Sequence, residues 1–196
     1  MEGNEIIENT IKQIRESISF FSNPNKSKRE LWVLREFLKN LNIDFQDNEL
    51  RSVDNDPPDL IFRGAAFEIK EIDEKNRKRH DEYNQELKEA SSAKNLKDLS
   101  NKPYKFKNIN MQEIVDRVND KFKEIDYSLD FCKNTNILFY INYSITVERF
   151  YQIPEEDFWL RWCSVSIVAN NNFSYVFCAN EKAPEFLRLH KGFACS

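Results

Sequence analysis

Glycine is scarce in this 196-residue sequence, which contains only Gly3, Gly64 and Gly192. Dinucleotide-binding loops and Walker A phosphate loops need clustered glycines, because their backbone N–H groups must approach the phosphate closely. Both kinds of loop are therefore excluded. Histidine is scarcer still, with His80 and His190 alone. A metal site built from several histidines is not available, and a Ser-His-Asp triad could draw on only one of the two.

The four cysteines are widely spaced, form no C-x-x-C pair and lie mostly in apolar stretches. This is typical of buried thiols in a reducing compartment. No apolar run reaches the roughly 18 residues that span a bilayer, and the acidic start Met1–Glu5 is unlike a signal peptide. We expect a cytoplasmic protein with no membrane partner.

What the chain does have is enough apolar material for a core. Hydrophobic residues make up 40%, with 16 Phe, and Lys+Arg 29 against Asp+Glu 33 leaves a net charge of -4. Apolar periodicity predicts helices near 7–21, 27–41, 75–95, 111–122 and 184–190, and strands at 44–53, 59–62, 65–72, 137–143, 159–168 and 173–179. We expect one α/β or α+β domain over residues 1–196, with a central mixed sheet flanked by helices. Residues 1–25 would form an N-terminal helical extension.

An isoleucine stripe on the first predicted helix has two interpretations. Ile7, Ile11, Ile14 and Ile18 share one helical face and could form the seam of a homodimer. The stripe is shorter than the three or four heptads that a coiled coil requires, so packing against the chain's own sheet is favoured.

Residues 59–70 carry the pattern that indicates chemistry. If Arg63-Gly64 is a two-residue hairpin turn, Asp59 lies directly opposite Glu68, with Cβ atoms about 5 Å apart. Lys70 follows Glu68 by two residues and so lies on the same face. Opposed carboxylates repel unless a cation lies between them, and hard oxygen ligands suit Mg²⁺ or Mn²⁺. A three-residue loop would instead place Asp59 opposite Ile69 and separate the acids.

This arrangement resembles the PD-(D/E)XK nuclease superfamily, whose motif appears here as Pro58-Asp59, eight intervening residues, then Glu68-Ile69-Lys70. The run 30–38, the Pro-Pro-Asp and Glu-x-Lys-Glu elements and the run 79–83 look like a small bacterial family of uncharacterised candidate endonucleases. That closer resemblance spans about residues 26–90, and the motif-bearing core would be residues 26–75.

The resemblance implies a restriction-endonuclease-like core and a Mg²⁺-dependent endonuclease acting on DNA, with Mn²⁺ as a substitute. Asp59 and Glu68 would hold the metal, and Lys70 would orient the attacking water or balance developing charge. The superfamily often adds an acid from the preceding helix, which would be Glu30, or Glu36 on another side of that helix. Glu30 has a competing interpretation as the capping-box partner of Ser27.

A basic segment follows the acidic strand. Residues 75–108 hold ten Lys or Arg against five Asp or Glu, and this excess favours contact with a phosphate backbone through Arg77, Lys78 and Arg79. A solvated helix face is the alternative. His80 lies on one helical face with Arg77 and is a candidate phosphate or proton-transfer residue, although a lone His on a polar helix is more often simply exposed.

Two further interpretations remain open. The aromatic residues around Trp159 and Trp162 could stack nucleobases, but packing in the core is favoured. The whole chain could also be a catalytically inactive nucleic-acid-binding or regulatory protein on the same scaffold, since a fold does not establish an activity.

Overall fold

The computed structural model describes most of the chain. The described residues are 2–54, 57–73, 78–99, 108–142, 144–145, 159–169, 172–192 and 194–195. They divide into two compact units, one comprising Met1–Arg29 with Glu74–Lys105 and the other Glu30–Asp73 with Phe106–Ser196. A single domain over residues 1–196, with an extension at 1–25 and a core at 26–75, stays a prediction.

The described residues form both helices and strands. The helices are α1 (Glu2–Phe20), α2 (Lys26–Asn40), α3 (Arg79–Ser92), α4 (Met111–Glu124), α5 (Leu129–Asn134) and α6 (Glu185–His190). The strands are β1 (Leu50–Ser52), β2 (Leu60–Phe62), β3 (Ala65–Ile72), β4 (Asn108–Ile109), β5 (Thr135–Ile141), β6 (Ser144–Ile145), β7 (Ser164–Ala169), β8 (Phe173–Ala179) and β9 (Ala194–Cys195).

The first unit is helical. α1 packs against α3, and Ile7 of the isoleucine stripe is buried while Ile11, Ile14 and Ile18 are half-buried. The ring of Phe21, just beyond α1, stacks on Tyr83 of α3 at 6.0 Å between centroids. A helix partner within this unit therefore covers part of the stripe, and a homodimer stays a prediction.

The second unit is built on a seven-stranded mixed sheet in the order β1-β2-β3-β5-β7-β8-β9. Its three central strands, β3, β5 and β7, run parallel to one another. The strands on either side are antiparallel to their neighbours: β1 to β2, β2 to β3, β7 to β8 and β8 to β9. β4 and β6 form a separate parallel pair. The predicted α+β architecture with a mixed sheet flanked by helices is confirmed for this unit.

The two faces of the sheet bury different side chains, because neighbours on a strand point to opposite faces. On one face Phe67 and Ile69 of β3 belong to a core cluster with α2, which contributes Leu34 and Phe37. On the other face Ile72 belongs to a cluster with α4 and the odd-numbered residues of β5. Glu68 and Lys70 are separated from Ile72 by an even number of positions, so their side chains point to the same face of β3 as Ile72, the side of α4.

Several element predictions needed correction. Within the predicted strand at 44–53, only β1 is a strand. The polar Asp-Asn-Glu sequence that precedes it forms a 3₁₀ turn at Asp47–Glu49. The predicted strand at 159–168 begins with a 3₁₀ turn at Trp159–Arg161, and β7 starts at Ser164. α2 begins at Lys26, so Ser27 lies inside the helix and is not its N-cap.

Other expectations are confirmed. Trp159 and Trp162 are buried in the core as favoured, whereas their aromatic neighbours Phe150, Tyr151 and Phe158 lie outside the described residues. Cys132, Cys163 and Cys178 are buried free thiols. Across the described part of the chain, none of the helices combines the length and apolar character needed to cross a bilayer.

Candidate active site

A tight hairpin between β2 and β3 sets the geometry of the site. Arg63 and Gly64 form the two-residue turn, with positive φ of 48° and 81°, as a turn matched to strand twist requires. The register pairs Phe62 with Ala65 and Leu60 with Phe67. The predicted register is therefore confirmed over the paired residues. Asp59 is the next residue outward from Leu60, at the position that this register places opposite Glu68.

Asp59 is buried and anchored to the neighbouring strand. Its Oδ2 accepts a hydrogen bond of 2.8 Å from the backbone N–H of Ile69, the residue that follows Glu68. Its own carbonyl accepts from the backbone N–H of Val53 at 3.1 Å. The carboxylate is thus held at the backbone of β3 beside Glu68, although β2 itself begins one residue later.

Glu68 is fully buried and is bonded to a lysine and a tyrosine. Lys70 Nζ lies 2.5 Å from Glu68 Oε1, and the Tyr127 hydroxyl donates to the same oxygen at 2.6 Å. Lys70 also donates to the Tyr127 oxygen at 3.1 Å, and its ammonium lies 5.4 Å from the centre of the Tyr127 ring. The side chain of Lys70 is 24% exposed against 0% for Glu68, so the lysine is the member of this ion pair that is partly open to solvent.

The protonation states of Lys70 and Tyr127 follow from these contacts. Burial alone would lower the pKa of Lys70, but its hydrogen bonds to Glu68 and Tyr127 outweigh burial and raise the pKa. Burial, reinforced by the bond to Glu68, raises the pKa of the Tyr127 phenol. At neutral pH Lys70 is therefore an ammonium and Tyr127 a neutral phenol. Both are donors in this cluster, and Lys70 has no lone pair with which to accept a proton.

The second oxygen of Glu68 carries the clearest chemical signal. Glu68 Oε2 is buried and receives no hydrogen bond from the described residues. A buried carboxylate oxygen without a donor is costly unless a cation or another donor satisfies it. Together with Asp59 it fits Mg²⁺, which proteins commonly hold through one or two carboxylates while waters and substrate phosphates complete the shell. Among the described residues, no group of three or more His, Cys, Asp or Glu could hold a metal.

The two acidic candidates on α2, Glu30 and Glu36, differ in burial. Glu30 is buried and begins the inward stripe of α2 that continues through Val33 and Phe37. Glu36 is half-buried and accepts a bond of 2.8 Å from Lys39 on the same helix. Burial thus distinguishes Glu30 from Glu36. However, α2 packs on the face of β3 opposite to Glu68, and a shared site for Glu30 and Glu68 stays a prediction.

The predicted basic contacts lie at the start of α3 in the helical unit. Arg77 is outside the described residues, Lys78 and His80 are exposed, and Arg79 is half-buried. The Arg79 guanidinium lies 4.1 Å from the centre of the Phe21 ring. Its cation–π contact gives Arg79 a structural role within this unit, while Lys78 and His80 present their side chains to solvent.

Tyr127 is the site residue that the sequence did not reveal. It lies 59 positions after Glu68, in the connection between α4 and α5. The parallel pairing of β3 with β5 brings this connection onto the Glu68 face. The only local signal is a tyrosine between polar residues immediately after an amphipathic helix, and this signal is too common to predict a site.

The family assignment follows from a sequence comparison over nearly the whole chain. The model of the family described as "Putative endonuclease, protein of unknown function (DUF1780)" matches residues 2–196. This protein belongs to that family. The assignment confirms the closer of the two resemblances, and it extends well beyond residues 26–90. The wider PD-(D/E)XK relationship stays a prediction.

The structural comparison supports the fold alone. A Pseudomonas aeruginosa PAO1 protein, PA4535, described as of unknown function and of the monooxygenase superfamily, has a TM-score of 0.58 and 23% identity. The match covers 100% of this chain and 96% of that chain. Among curated proteins, none matches this sequence.

Proposed function

We propose that this protein is a Mg²⁺-dependent endonuclease of restriction-endonuclease-like architecture that hydrolyses phosphodiester bonds in DNA. The observation that carries the proposal is the buried Glu68, whose Oε1 is held by Lys70 and Tyr127 while Oε2 has no donor among the described residues. The neighbouring Asp59 is fixed on the backbone of Ile69. The family description adds independent support for a nuclease.

Asp59 and Glu68 are the residues that would hold the metal. Bound there, Mg²⁺ or Mn²⁺ would lower the pKa of a coordinated water and polarise the scissile phosphate. Glu68 can contribute Oε2 while Oε1 stays bonded to Lys70 and Tyr127. These two donors fix the carboxylate in one orientation, in the way that outer-shell partners orient metal ligands.

Lys70 would act as a cation and hydrogen-bond donor. Its raised pKa keeps it protonated at neutral pH, so it would orient the attacking water through that water's oxygen or neutralise charge that develops on the phosphate. A different group must therefore remove the proton from the water. Because Lys70 is the partly exposed member of the ion pair, it is the member best placed to meet a phosphate arriving from solvent.

The experiment is a cleavage assay on plasmid, linear duplex and single-stranded DNA with Mg²⁺, Mn²⁺ or EDTA. We expect metal-dependent cleavage that falls at least 100-fold in Glu68→Gln, a loss of about 2.7 kcal/mol of transition-state stabilisation. Glu49→Gln is the matched control, because Glu49 forms an ion pair with Arg63 at 2.6 Å, at the same hairpin. Equal cleavage by Glu68→Gln and Glu49→Gln would refute the assignment of the site.

An inactive nucleic-acid-binding or regulatory protein is the second candidate. Lys70 already compensates the charge of Glu68, and the described residues supply no cluster of three metal ligands. A scaffold of this kind would bind nucleic acid with equal affinity in wild type, Lys70→Met and Glu68→Gln. It would show no cleavage with either metal.

A further inference from the structure

A second concave feature adjoins the Glu68 cluster in the same unit. It is a cavity of about 330 Å³ between the end of α4, the start of α5 and the 3₁₀ turn at Trp159–Arg161. This volume lies at the lower end of the range for small-molecule sites. Its size therefore suits one ring system rather than an extended ligand.

The lining of the cavity is aromatic with cationic side chains. Half-buried Phe122 and Tyr127 contribute rings, with the buried Trp162 packed against both, and Lys123 and Arg161 contribute positive charge. The Tyr127 and Trp162 rings meet edge to face at 6.0 Å, and those of Phe122 and Trp162 lie 6.1 Å apart. These contacts fix the aromatic wall before any ligand binds.

The two cationic side chains, Lys123 and Arg161, differ in whether they are already paired with a carboxylate. Lys123 is paired with Asp120 at 2.7 Å on the exposed surface of α4. Arg161 is exposed, and its side chain makes no hydrogen bond or ion pair with the residues that the structure describes. Burial raises the pKa of the Cys132 thiol, which lines the same cavity, and the charge of Arg161 opposes this rise only in part. Arg161 is thus the guanidinium available to an anion at the cavity.

Tyr127 connects this cavity with the candidate active site. Its ring lines the cavity, while its hydroxyl donates to Glu68 Oε1 at 2.6 Å. A ligand in contact with the ring therefore lies one side chain away from the carboxylate. A group combining a flat aromatic surface with a nearby phosphate fits both the rings and Arg161.

We propose that this cavity receives one unpaired nucleobase of the substrate strand, with the flanking phosphate at Arg161, so that the substrate is single-stranded or locally unpaired nucleic acid. The proposal deepens the proposed function and rests on it. A base inside an intact duplex is stacked on both sides and paired at its edge, so it cannot enter a cavity of this kind without leaving the helix. Unpaired bases stack readily on aromatic side chains and guanidinium planes.

The test compares variants that block or neutralise the cavity without removing core atoms. Leu129 lines the cavity and is 56% exposed, so Leu129→Trp adds a ring at its mouth. Leu160→Trp is the matched control, since Leu160 is 55% exposed and does not line the cavity. Arg161→Ala is matched by Arg51→Ala, another exposed arginine, on β1.

The measurement is the fluorescence anisotropy of a short fluorescein-labelled oligothymidine and of a labelled duplex, with the full chain, first in EDTA and then in Mg²⁺. A gel run alongside verifies that the oligomer is intact. We expect Leu129→Trp, whose ring takes the place of the base, to weaken oligothymidine binding roughly tenfold or more, the range for losing one stacked base. Arg161→Ala, which removes a phosphate contact, should weaken binding and make its salt dependence shallower by about 0.7. Leu160→Trp and Arg51→Ala should bind as the wild type does.

Several results would overturn the proposal. They are absence of oligothymidine binding by the wild type, equal affinities for Leu129→Trp and Leu160→Trp, and equal effects of Leu129→Trp on oligothymidine and duplex. Binding of unphosphorylated thymidine that is as tight as oligothymidine binding and insensitive to Arg161→Ala would indicate a site for neutral aromatic molecules instead. Loss of cleavage in Glu68→Gln tests the nuclease separately. If the wild type cleaves DNA and Leu129→Trp binds oligothymidine as the wild type does, the proposed nuclease function stands and only the proposed base site is refuted.

Discussion

The hydroxyl of Tyr127 lies 2.6 Å from Oε1 of Glu68, across 59 positions of sequence. Tyr127→Phe removes this donor while keeping the ring that packs on Phe131 and Trp162. We expect the free energy of unfolding to fall by about 1–3 kcal/mol, because a buried acceptor loses one of its two donors. Urea unfolding measures this loss.

Cleavage by Tyr127→Phe should fall as well, because Glu68 is then oriented by Lys70 alone. Tyr140→Phe is the control, since the Tyr140 hydroxyl makes a long contact of 3.4 Å with Asn142 and Tyr140 belongs to the core cluster on the face of the sheet opposite Glu68. If Tyr127→Phe were as stable and as active as the control Tyr140→Phe, the Tyr127 hydroxyl would have no role in holding Glu68.

Local signals were sufficient to predict the hairpin and its strands. A two-residue turn fixes register by itself, and strict alternation fixes which residues share a face. The position of Asp59 opposite Glu68, and the common face of Glu68 and Lys70, therefore followed from residues 59–70 alone. Tyr127 could not be predicted in this way, because only the parallel pairing of β3 with β5 brings its loop to Glu68. That pairing depends on contacts distant in sequence.

Other failures also have physical causes. α5 has six residues, too few for its apolar period to stand out from the flanking loops. Trp159 and Trp162 looked like strand residues because they are aromatic, but both belong to the apolar cluster on the α4 face of the sheet. Arg79 lies over the ring of Phe21, a contact that its charge alone could not reveal, and its binding to phosphate stays a prediction.

The Lys70 ammonium should make stability depend on alkaline pH. The folded pKa of Lys70 is raised above its ordinary value of 10.5, and that of Tyr127 is raised above 10.0. The stabilisation is therefore fully present below these ordinary values. It is lost as the pH rises through the folded pKa values, because the unfolded chain gives up its protons first.

The measurement is urea unfolding of wild type and Lys70→Met over neutral to alkaline pH. At neutral pH we expect Lys70→Met to lose about 3 kcal/mol, because Glu68 is left as an uncompensated buried charge. The difference between the two proteins should narrow above the ordinary lysine pKa of 10.5, because the unfolded chain then gives up the Lys70 proton that the folded wild type still holds. A difference that widens with pH would contradict the assigned direction of the pKa shift. Lys123→Met, which removes an exposed ammonium, serves as the control.

Asp59 has a structural role and a proposed chemical role, and two substitutions separate them. Asp59→Asn retains a side-chain oxygen that can accept from Ile69 N–H, whereas Asp59→Ala leaves that buried donor unsatisfied. We expect Asp59→Ala to be destabilised by about 1–3 kcal/mol and Asp59→Asn by less. Both should lose Mn²⁺ binding in calorimetry, because both lose the carboxylate charge. Retention of wild-type Mn²⁺ affinity by a folded Asp59→Asn would remove Asp59 from the metal site.

The exposed start of α3 gives a prediction for binding that does not depend on catalysis. Lys78 is exposed, whereas Arg79 is half-buried beside the Phe21 ring. If Lys78 contacts phosphate, Lys78→Ala should weaken binding about equally for all sequences, since a backbone contact releases counterions and reads no base. The slope of log affinity against log salt concentration should also become shallower by roughly 0.7–0.9, the value for one phosphate contact. Lys39→Ala, on α2 and paired with Glu36, is the control that should leave the slope unchanged. An unchanged slope in Lys78→Ala would assign the basic segment to a solvated helix face.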